Sequence, residues 1–153
     1  MMVIQRLQNL YLFLSAVLLL IFAFTTSVIV EVGTKIVTFS CIKMCGIPDG
    51  GETYVPISIV LVALSVILSV LAIAKFKDLK VQKSVTLRTM FCVVALVAYI
   101  FINVSVIADT HSVLSIKPTF VMCLPLLALI LQFMALNGIK RDIKLLRDSD
   151  HIR

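Results

Sequence analysis

Four long apolar runs dominate the pattern of hydrophobic and polar positions along the chain. They cover about residues 7–30, 55–74, 89–108 and 118–136, and none carries a lysine, arginine, aspartate or glutamate in its middle. Apolar residues lie on every helical face of these runs, without the polar stripe of a helix in a soluble protein. Because a bilayer core needs about 20 apolar residues per helix, the pattern predicts four transmembrane helices.

Prolines and flanking residues refine the ends of these helices. Pro56 and Pro118 are expected in the first turn of their helices, where a missing N–H costs little. Pro125 lies inside the fourth run and is expected to kink that helix. The first run also has features of a signal peptide, but its apolar stretch is long and no clear cleavage site follows, so we expect a retained anchor.

The longest segment between the runs, residues 31–54, carries strand and turn signals. β-Branched residues at 28–39 surround the turn candidate Gly33–Thr34, which predicts a hairpin. A second turn signal is Asp49–Gly51. We expect a small sheet of two or three strands that rests on the membrane or on a partner, because an isolated hairpin is only marginally stable. Residues 109–117 are expected merely to connect two helices.

Composition points to lipid as the solvent of this chain. Hydrophobic residues make up 61% of the 153 residues, charged residues 14%, and the mean hydropathy is +1.13. A soluble domain is roughly half apolar and a quarter charged. A globule of this size cannot bury so much apolar surface, which excludes a conventional soluble enzyme as well as a disordered or collagen-like chain.

The basic residues are concentrated on one side of the predicted membrane. Eleven of the 14 lysines and arginines lie at the N-terminus, in the loop 75–88 or in the tail 137–153. The other side holds only Lys35, Lys43 and Lys117. The positive-inside rule therefore predicts that both termini face the cytoplasm.

This basic face is the predicted contact surface of the protein. It suits anionic lipid headgroups and other inner-membrane proteins, including a second copy of the chain. Nucleic acid is not expected, because Phe76 is the one aromatic residue among the basic residues of the loop, and a single ring does not form a stacking platform. The candidate contact residues are Gln5, Arg6, Gln8, Lys75, Lys77, Lys80, Lys83, Arg88, Lys140, Arg141, Asp142, Lys144 and Arg147.

The tail is expected to be a basic amphipathic helix. Ile139, Ile143 and Leu146 recur at helical spacing, with basic residues at other positions around the helix. This helix either continues the fourth span or bends at Gly138 and lies on the membrane surface.

Polar side chains are sparse inside the predicted spans. Asn103 and Gln132 are expected to form hydrogen bonds between helices, and Ser65 and Ser69 to permit close helix packing. No ionisable residue lies in a span centre, as a transport path or an intramembrane catalyst would require. Metal-ligand spacing and nucleotide or hydrolase motifs are also lacking, so neither a metal, a cofactor nor an enzymatic activity is predicted.

Two cysteines lie in the outer segment. Cys41 and Cys45 could form a disulfide in an oxidising compartment or remain as two free thiols. A thiol centre that passes electrons to a quinone is a third interpretation. The C-x-x-x-C spacing and the lack of a cysteine in residues 109–117 argue against it, because thiol exchange needs a resolving partner.

Both ends of the chain resemble one family. The start, I-Q-R-L-Q-N-L-Y-L at residues 4–12, and the end, with I-K-R-D at 139–142 and R-D-S-D at 147–150, resemble a four-span family of the Bacteroidetes, domain of unknown function 4293. The resemblance implies a location in the inner membrane of a Gram-negative bacterium and carries no activity. If the two ends pack together, the N-terminal polar residues would face residues 141–153.

The sequence as a whole predicts an all-α membrane protein. Residues 1–136 form the four-helix domain, with a small hairpin in the outer loop, and residues 137–153 form the cytoplasmic tail. The predicted function is that of a non-catalytic accessory or structural subunit of a larger membrane complex. The alternatives are a small carrier or channel and, after it, the thiol–quinone enzyme.

Overall fold

Four long helices form the body of the protein. A computed structural model describes residues 2–32, 35–46, 53–54, 56–76, 78–110 and 113–150. Among these residues, four helices are long and apolar enough to cross a membrane. Each packs mainly against two neighbours, which places them in a ring in the order α1, α2, α3, α4. Their bounds are Met2–Phe24 (α1), Pro56–Ala74 (α2), Leu79–Thr110 (α3) and Cys123–Asp150 (α4).

An antiparallel sheet lies beyond one end of the bundle, named here the sheet end. Its strands are β1 (Thr26–Val32), β2 (Lys35–Ser40), β3 (Lys43–Cys45), β4 (Thr53–Tyr54) and β5 (Val113–Pro118), in the spatial order β4-β3-β2-β1-β5. The predicted hairpin is confirmed as β1 and β2, with Val32 opposite Lys35. The predicted turn residues Gly33, Thr34 and Asp49–Gly51 lie outside the described residues.

The prediction that residues 109–117 merely connect two helices was wrong. Most of this segment belongs to β5, which pairs with β1. Ser115 Oγ and Lys117 Nζ both donate hydrogen bonds to the carboxylate of Glu31. The partner strand lies more than 80 positions earlier in the chain, so no local pattern could have indicated the pairing.

The sheet packs on the ends of the protein's own helices. Its inner face is buried and forms one cluster with side chains from the helices. Phe22 of α1 and Phe39 of β2 are both fully buried in this cluster. Ser58 Oγ at the start of α2 also donates to the carbonyl of Cys41, at 2.8 Å. Removal of apolar surface from water therefore ties the sheet to the bundle.

The end of α1 and the start of α3 differ from those that the hydropathy pattern predicted. α1 ends at Phe24 and not near residue 30, and the Thr25 hydroxyl donates to the Ile21 carbonyl at 2.8 Å. The apolar residues that follow belong to β1, and hydropathy alone cannot distinguish a buried strand from the end of a span. α3 begins at Leu79, so the predicted basic loop 75–88 is mostly helix.

α4 also begins later than predicted and is continuous to Asp150. Pro118 ends β5, and a 3₁₀ turn at Phe120–Met122 precedes the helix. Pro125 was predicted to kink the helix from within, but it is the third residue of α4 and lies in the first turn, where no intrahelical N–H partner is lost. The helix continues through Gly138 to Asp150, which confirms the continuous tail and excludes the bend.

Candidate interaction site at the basic end of the bundle

Four polar side chains from three helices meet at the end opposite the sheet, named here the basic end. Gln8 Nε2 of α1 donates to Asp142 Oδ2 of α4 at 2.8 Å. Gln82 Nε2 of α3 donates to Asn9 Oδ1 of α1 at 3.1 Å. These four residues are named the polar clamp. The clamp confirms that the two family-like ends of the chain pack together, since Gln8 and Asp142 are 134 positions apart.

Burial makes these hydrogen bonds important for the position of the helices. Gln8 is 2% exposed, Gln82 1% and Asp142 8%. A buried carboxylate without a donor is costly, so the bond from Gln8 holds α4 against α1. Gln8 and Asp142 were predicted to be contact residues. Their burial corrects that prediction, because a partner outside the bundle cannot reach them.

Gly138 provides the space in which the Gln8 side chain lies. A Cβ atom added at Gly138 would lie 2.9 Å from Gln8 Cγ and 3.0 Å from Gln8 Nε2. Both distances are shorter than van der Waals contact allows. The glycine therefore lets Gln8 pass against the backbone of α4 and reach Asp142 about one turn further along.

Gln82 was not among the predicted contact residues, because residues 75–88 were expected to form a loop. In the structure Gln82, Thr86, Thr89 and Val93 lie on one buried face of α3. Their spacing of three or four positions is the periodicity of a helix face. The Thr86 and Thr89 hydroxyls donate to the carbonyls one turn earlier, at 2.9 and 3.0 Å, which leaves these polar residues compatible with burial.

Most of the predicted basic contact residues are exposed. Among the described side chains none of them takes part in an ion pair. Lys77 and the side chains of Gln5 and Arg6 lie outside what the structure describes. The exposed members are Lys75, Lys80, Lys83, Arg88, Lys140, Arg141, Lys144 and Arg147.

Two helices are longer than the thickness of a bilayer core. α3 has 32 residues and α4 has 28, which correspond to about 48 and 42 Å at 1.5 Å per residue. A bilayer core is about 30 Å thick. Both helices are therefore long enough to extend about 10 Å or more past a hydrocarbon core, with the polar clamp fixing their relative position.

The polar residues within the spans do not form the predicted bonds between helices. Asn103 Nδ2 donates to the Tyr99 carbonyl of its own helix at 2.7 Å. Neither side-chain atom of Gln132 has a hydrogen-bond partner, although the residue is fully buried. Ser65 and Ser69 are also fully buried, in keeping with the close packing expected of them.

Cys41 and Cys45 do not form a disulfide in the structure. Cys41 is 1% exposed and lines an apolar groove of about 470 Å³ between α1 and α2 at the sheet end. Burial raises the pKa of the Cys41 thiol to about 12. Since the thiolate is the nucleophile in thiol exchange, Cys41 is a poor starting point for redox chemistry near neutral pH.

A protein-family model matches almost the whole chain. The family model described as Domain of unknown function (DUF4293) matches residues 4–152. The match includes all residues of the polar clamp and both ends that carry the resemblance noted in the sequence. Comparison with curated proteins found no match.

Proposed function

The chain belongs to the family described as Domain of unknown function (DUF4293), and we propose that it is a non-catalytic accessory or structural subunit of a larger bacterial inner-membrane complex. In this proposal both termini and the basic end face the cytoplasm. The observation that supports it is the basic end itself: two helices long enough to extend past an apolar core, joined to α1 by buried hydrogen bonds and bearing exposed cations.

Rigidity is what makes this surface suitable for binding. Ordering flexible long side chains and loops reduces affinity, so a platform fixed before binding loses less on association. The polar clamp fixes the backbone of α1, α3 and α4 relative to one another. Its surrounding cations attract anionic headgroups by about 1 kcal/mol each near the surface. They also steer an acidic face of a neighbouring protein into one orientation.

The thiols support a role without catalysis. A thiol with a pKa of about 12 is almost entirely protonated at pH 7. The thiol–quinone alternative predicts that replacing Cys41 and Cys45 by serine abolishes a quinone-dependent oxidation of dithiols in membranes. Our proposal predicts that the double variant leaves complex assembly unchanged.

A small carrier or channel is the second candidate function. Within the described core, an apolar cluster of Leu12, Ala72 and Ala135 lies towards the basic end, and one of Leu19, Val93 and Ala128 lies towards the sheet end. Apolar side chains on both sides of the bundle centre argue against a continuous hydrated path in this conformation. Solute flux into liposomes that contain the purified protein would favour the carrier.

The proposal is tested by purification of the tagged chain from native membranes in a mild detergent. A charge-neutralised variant replaces four exposed cations of α4 by glutamine: Lys140, Arg141, Lys144 and Arg147. The matched control exchanges lysine and arginine at the same four positions and keeps every charge. We expect a partner in fixed stoichiometry with the wild-type chain and the control, and its loss from the neutralised variant. Purification of the wild-type chain without any such partner would refute the proposal.

A further inference from the structure

One buried polar side chain from each helix lies near the middle of the bundle. All four residues are fully buried, with 0% of the side chain exposed. Two of them, Ser69 and Gln132, were predicted to contribute to helix packing and to hydrogen bonds between helices. This central polar layer consists of Ser15 of α1, Ser69 of α2, Thr89 of α3 and Gln132 of α4.

The two apolar clusters, one towards the basic end and one towards the sheet end, show where the layer lies along the bundle axis. Leu12 and Ala135 pack in one cluster, and Leu19 and Ala128 pack in the other. Ser15 lies between the two leucines on α1, and Gln132 lies between the two alanines on α4. The two residues therefore occupy the same level.

The other two helices place their polar residues at that level as well. On α2, Ser69 lies between Val66, which packs against the sheet-side cluster, and Ala72 of the basic-side cluster. On α3, Thr89 lies between Val85, which packs against the basic-side cluster, and Val93 of the sheet-side cluster. At 1.5 Å per residue, the apolar clusters lie about 5 Å above and below the layer.

The layer contains hydrogen-bonding groups that the protein leaves unmatched. The hydroxyls of Ser15, Ser69 and Thr89 each donate to a carbonyl of their own helix, at 2.8, 2.9 and 3.0 Å. Each hydroxyl oxygen keeps the capacity to accept. Gln132 Nε2 has two N–H donors and Gln132 Oε1 is an acceptor, and neither atom has a partner.

We propose that the central polar layer is a binding site for water in the middle of the bundle. An amide without partners in an apolar core is strongly unfavourable, and the apolar clusters on both sides offer it no hydrogen bond. A water molecule can accept from Gln132 Nε2 and donate to Gln132 Oε1 or to a serine hydroxyl. Two to four polar partners are typical of buried water in proteins, and the layer supplies them.

The site goes beyond a role as an accessory subunit and does not depend on it. It assigns a ligand to the one described span residue whose side-chain amide is fully buried with both polar atoms unpaired. Helix packing alone does not account for Gln132, because the serine and threonine hydroxyls already donate within their own helices and leave the amide without a partner.

The direct test is nuclear magnetic resonance of the isotope-labelled wild-type chain in detergent micelles. We expect a cross-relaxation peak between water and the side-chain amide protons of Gln132, with the sign of a bound water. The exposed side-chain amide of Asn137 on the same helix serves as the control for exchange with bulk solvent. A Gln132 amide that is assigned but shows no water peak would overturn the proposal.

A thermodynamic cycle tests whether Gln132 and Ser69 share the ligand. We expect Ser69→Ala to lower the midpoint of thermal unfolding by about 2–4 °C in the wild-type chain. The same change should have almost no effect when Gln132→Leu is already present. Ser65→Ala is the matched control, because Ser65 is equally buried and bonded within its helix but lies one turn outside the layer.

The control change should have the same effect in both backgrounds. Equal effects of Ser69→Ala with and without Gln132→Leu would contradict a shared water molecule. Coupling between the two residues without a water peak at Gln132 would mean that the amide contacts the hydroxyl directly, which would also overturn the proposal.

Discussion

Replacing Gly138 by alanine should destabilise the protein, although the substitution usually stabilises a helix. The added Cβ would lie 2.9 Å from Gln8 Cγ and 3.0 Å from Nε2. Gln8 has to move, and its movement removes the donor that lies 2.8 Å from the buried carboxylate of Asp142. The helix gains rigidity and the polar clamp loses its central bond.

The two effects have opposite signs and known sizes. Alanine in place of glycine stabilises a helix interior by about 0.8–1.0 kcal/mol. A hydrogen bond to a charged group contributes about 1.5–3 kcal/mol, and a carboxylate left buried without its donor accounts for much of that loss. The expected net effect of Gly138→Ala is a loss of about 0.5–2 kcal/mol in the free energy of unfolding.

The sign should reverse when Gln8 is absent. In a Gln8→Ala background the Gln8 side chain no longer fills the space beside Gly138. Only the higher helix propensity of alanine then affects the free energy of unfolding. There, Gly138→Ala should stabilise the protein by about 1 kcal/mol relative to Gln8→Ala alone. The measurement is reversible unfolding in mixed micelles, followed by circular dichroism for the wild-type chain, both single variants and the double variant.

Asn137→Ala is the matched control for this cycle. Asn137 is exposed and precedes Gly138 on α4, so the change should have the same small effect with and without Gln8. If Gly138→Ala stabilises the protein equally in both backgrounds, the steric argument is wrong and Gln8 does not depend on the glycine.

Three further predictions concern the sheet end and the orientation of the chain. Hydrogen bonds from the Lys117 ammonium and the Ser115 hydroxyl lower the pKa of the Glu31 carboxyl. These bonds therefore stabilise the folded protein fully above the pKa that Glu31 has in the unfolded chain. Their stabilising effect is lost as the pH falls through the lower pKa that Glu31 has in the folded protein. The difference in unfolding midpoint between wild type and Glu31→Gln should therefore shrink towards zero from pH 7 to pH 3. Because burial raises the pKa of Cys41 to about 12, a single-cysteine variant that keeps Cys41 should react with a maleimide at pH 8 about a thousandfold more slowly than a thiol of ordinary pKa, and a comparable rate would contradict its burial. An epitope placed after residue 153 should be protected from protease in intact spheroplasts and cleaved after permeabilisation, whereas cleavage in intact spheroplasts would refute the proposed orientation.

Local hydropathy and spacing determined the main architecture. A run of about 20 apolar residues has one stable form in lipid, because only a helix satisfies its backbone groups internally. For the same reason α2, which starts at Pro56, could be placed almost to the residue. The hairpin of β1 and β2 was also predictable, because its strands adjoin one turn and their β-branched residues lie next to each other in the sequence.

The remainder depended on contacts between distant residues. β5 forms because β1 offers it a partner, and the basic segment before residue 89 is helical because Gln82 and Thr86 pack into the bundle. Hydropathy indicates whether a residue prefers water or lipid, but it does not indicate which residues it contacts. Segments that are ambiguous between loop, strand and helix were therefore decided by tertiary packing.

The same division holds for the candidate site. The sequence by itself determined which residue types are concentrated at the basic end, since charge can be counted without a structure. Only the tertiary structure decided that Gln8 and Asp142 are buried partners, that Gly138 makes room for them, and that Gln132 lies among three hydroxyls at one level. Hydrogen bonds between helices depend on rotation and height, and a difference of one residue turns a side chain by about 100° around the helix.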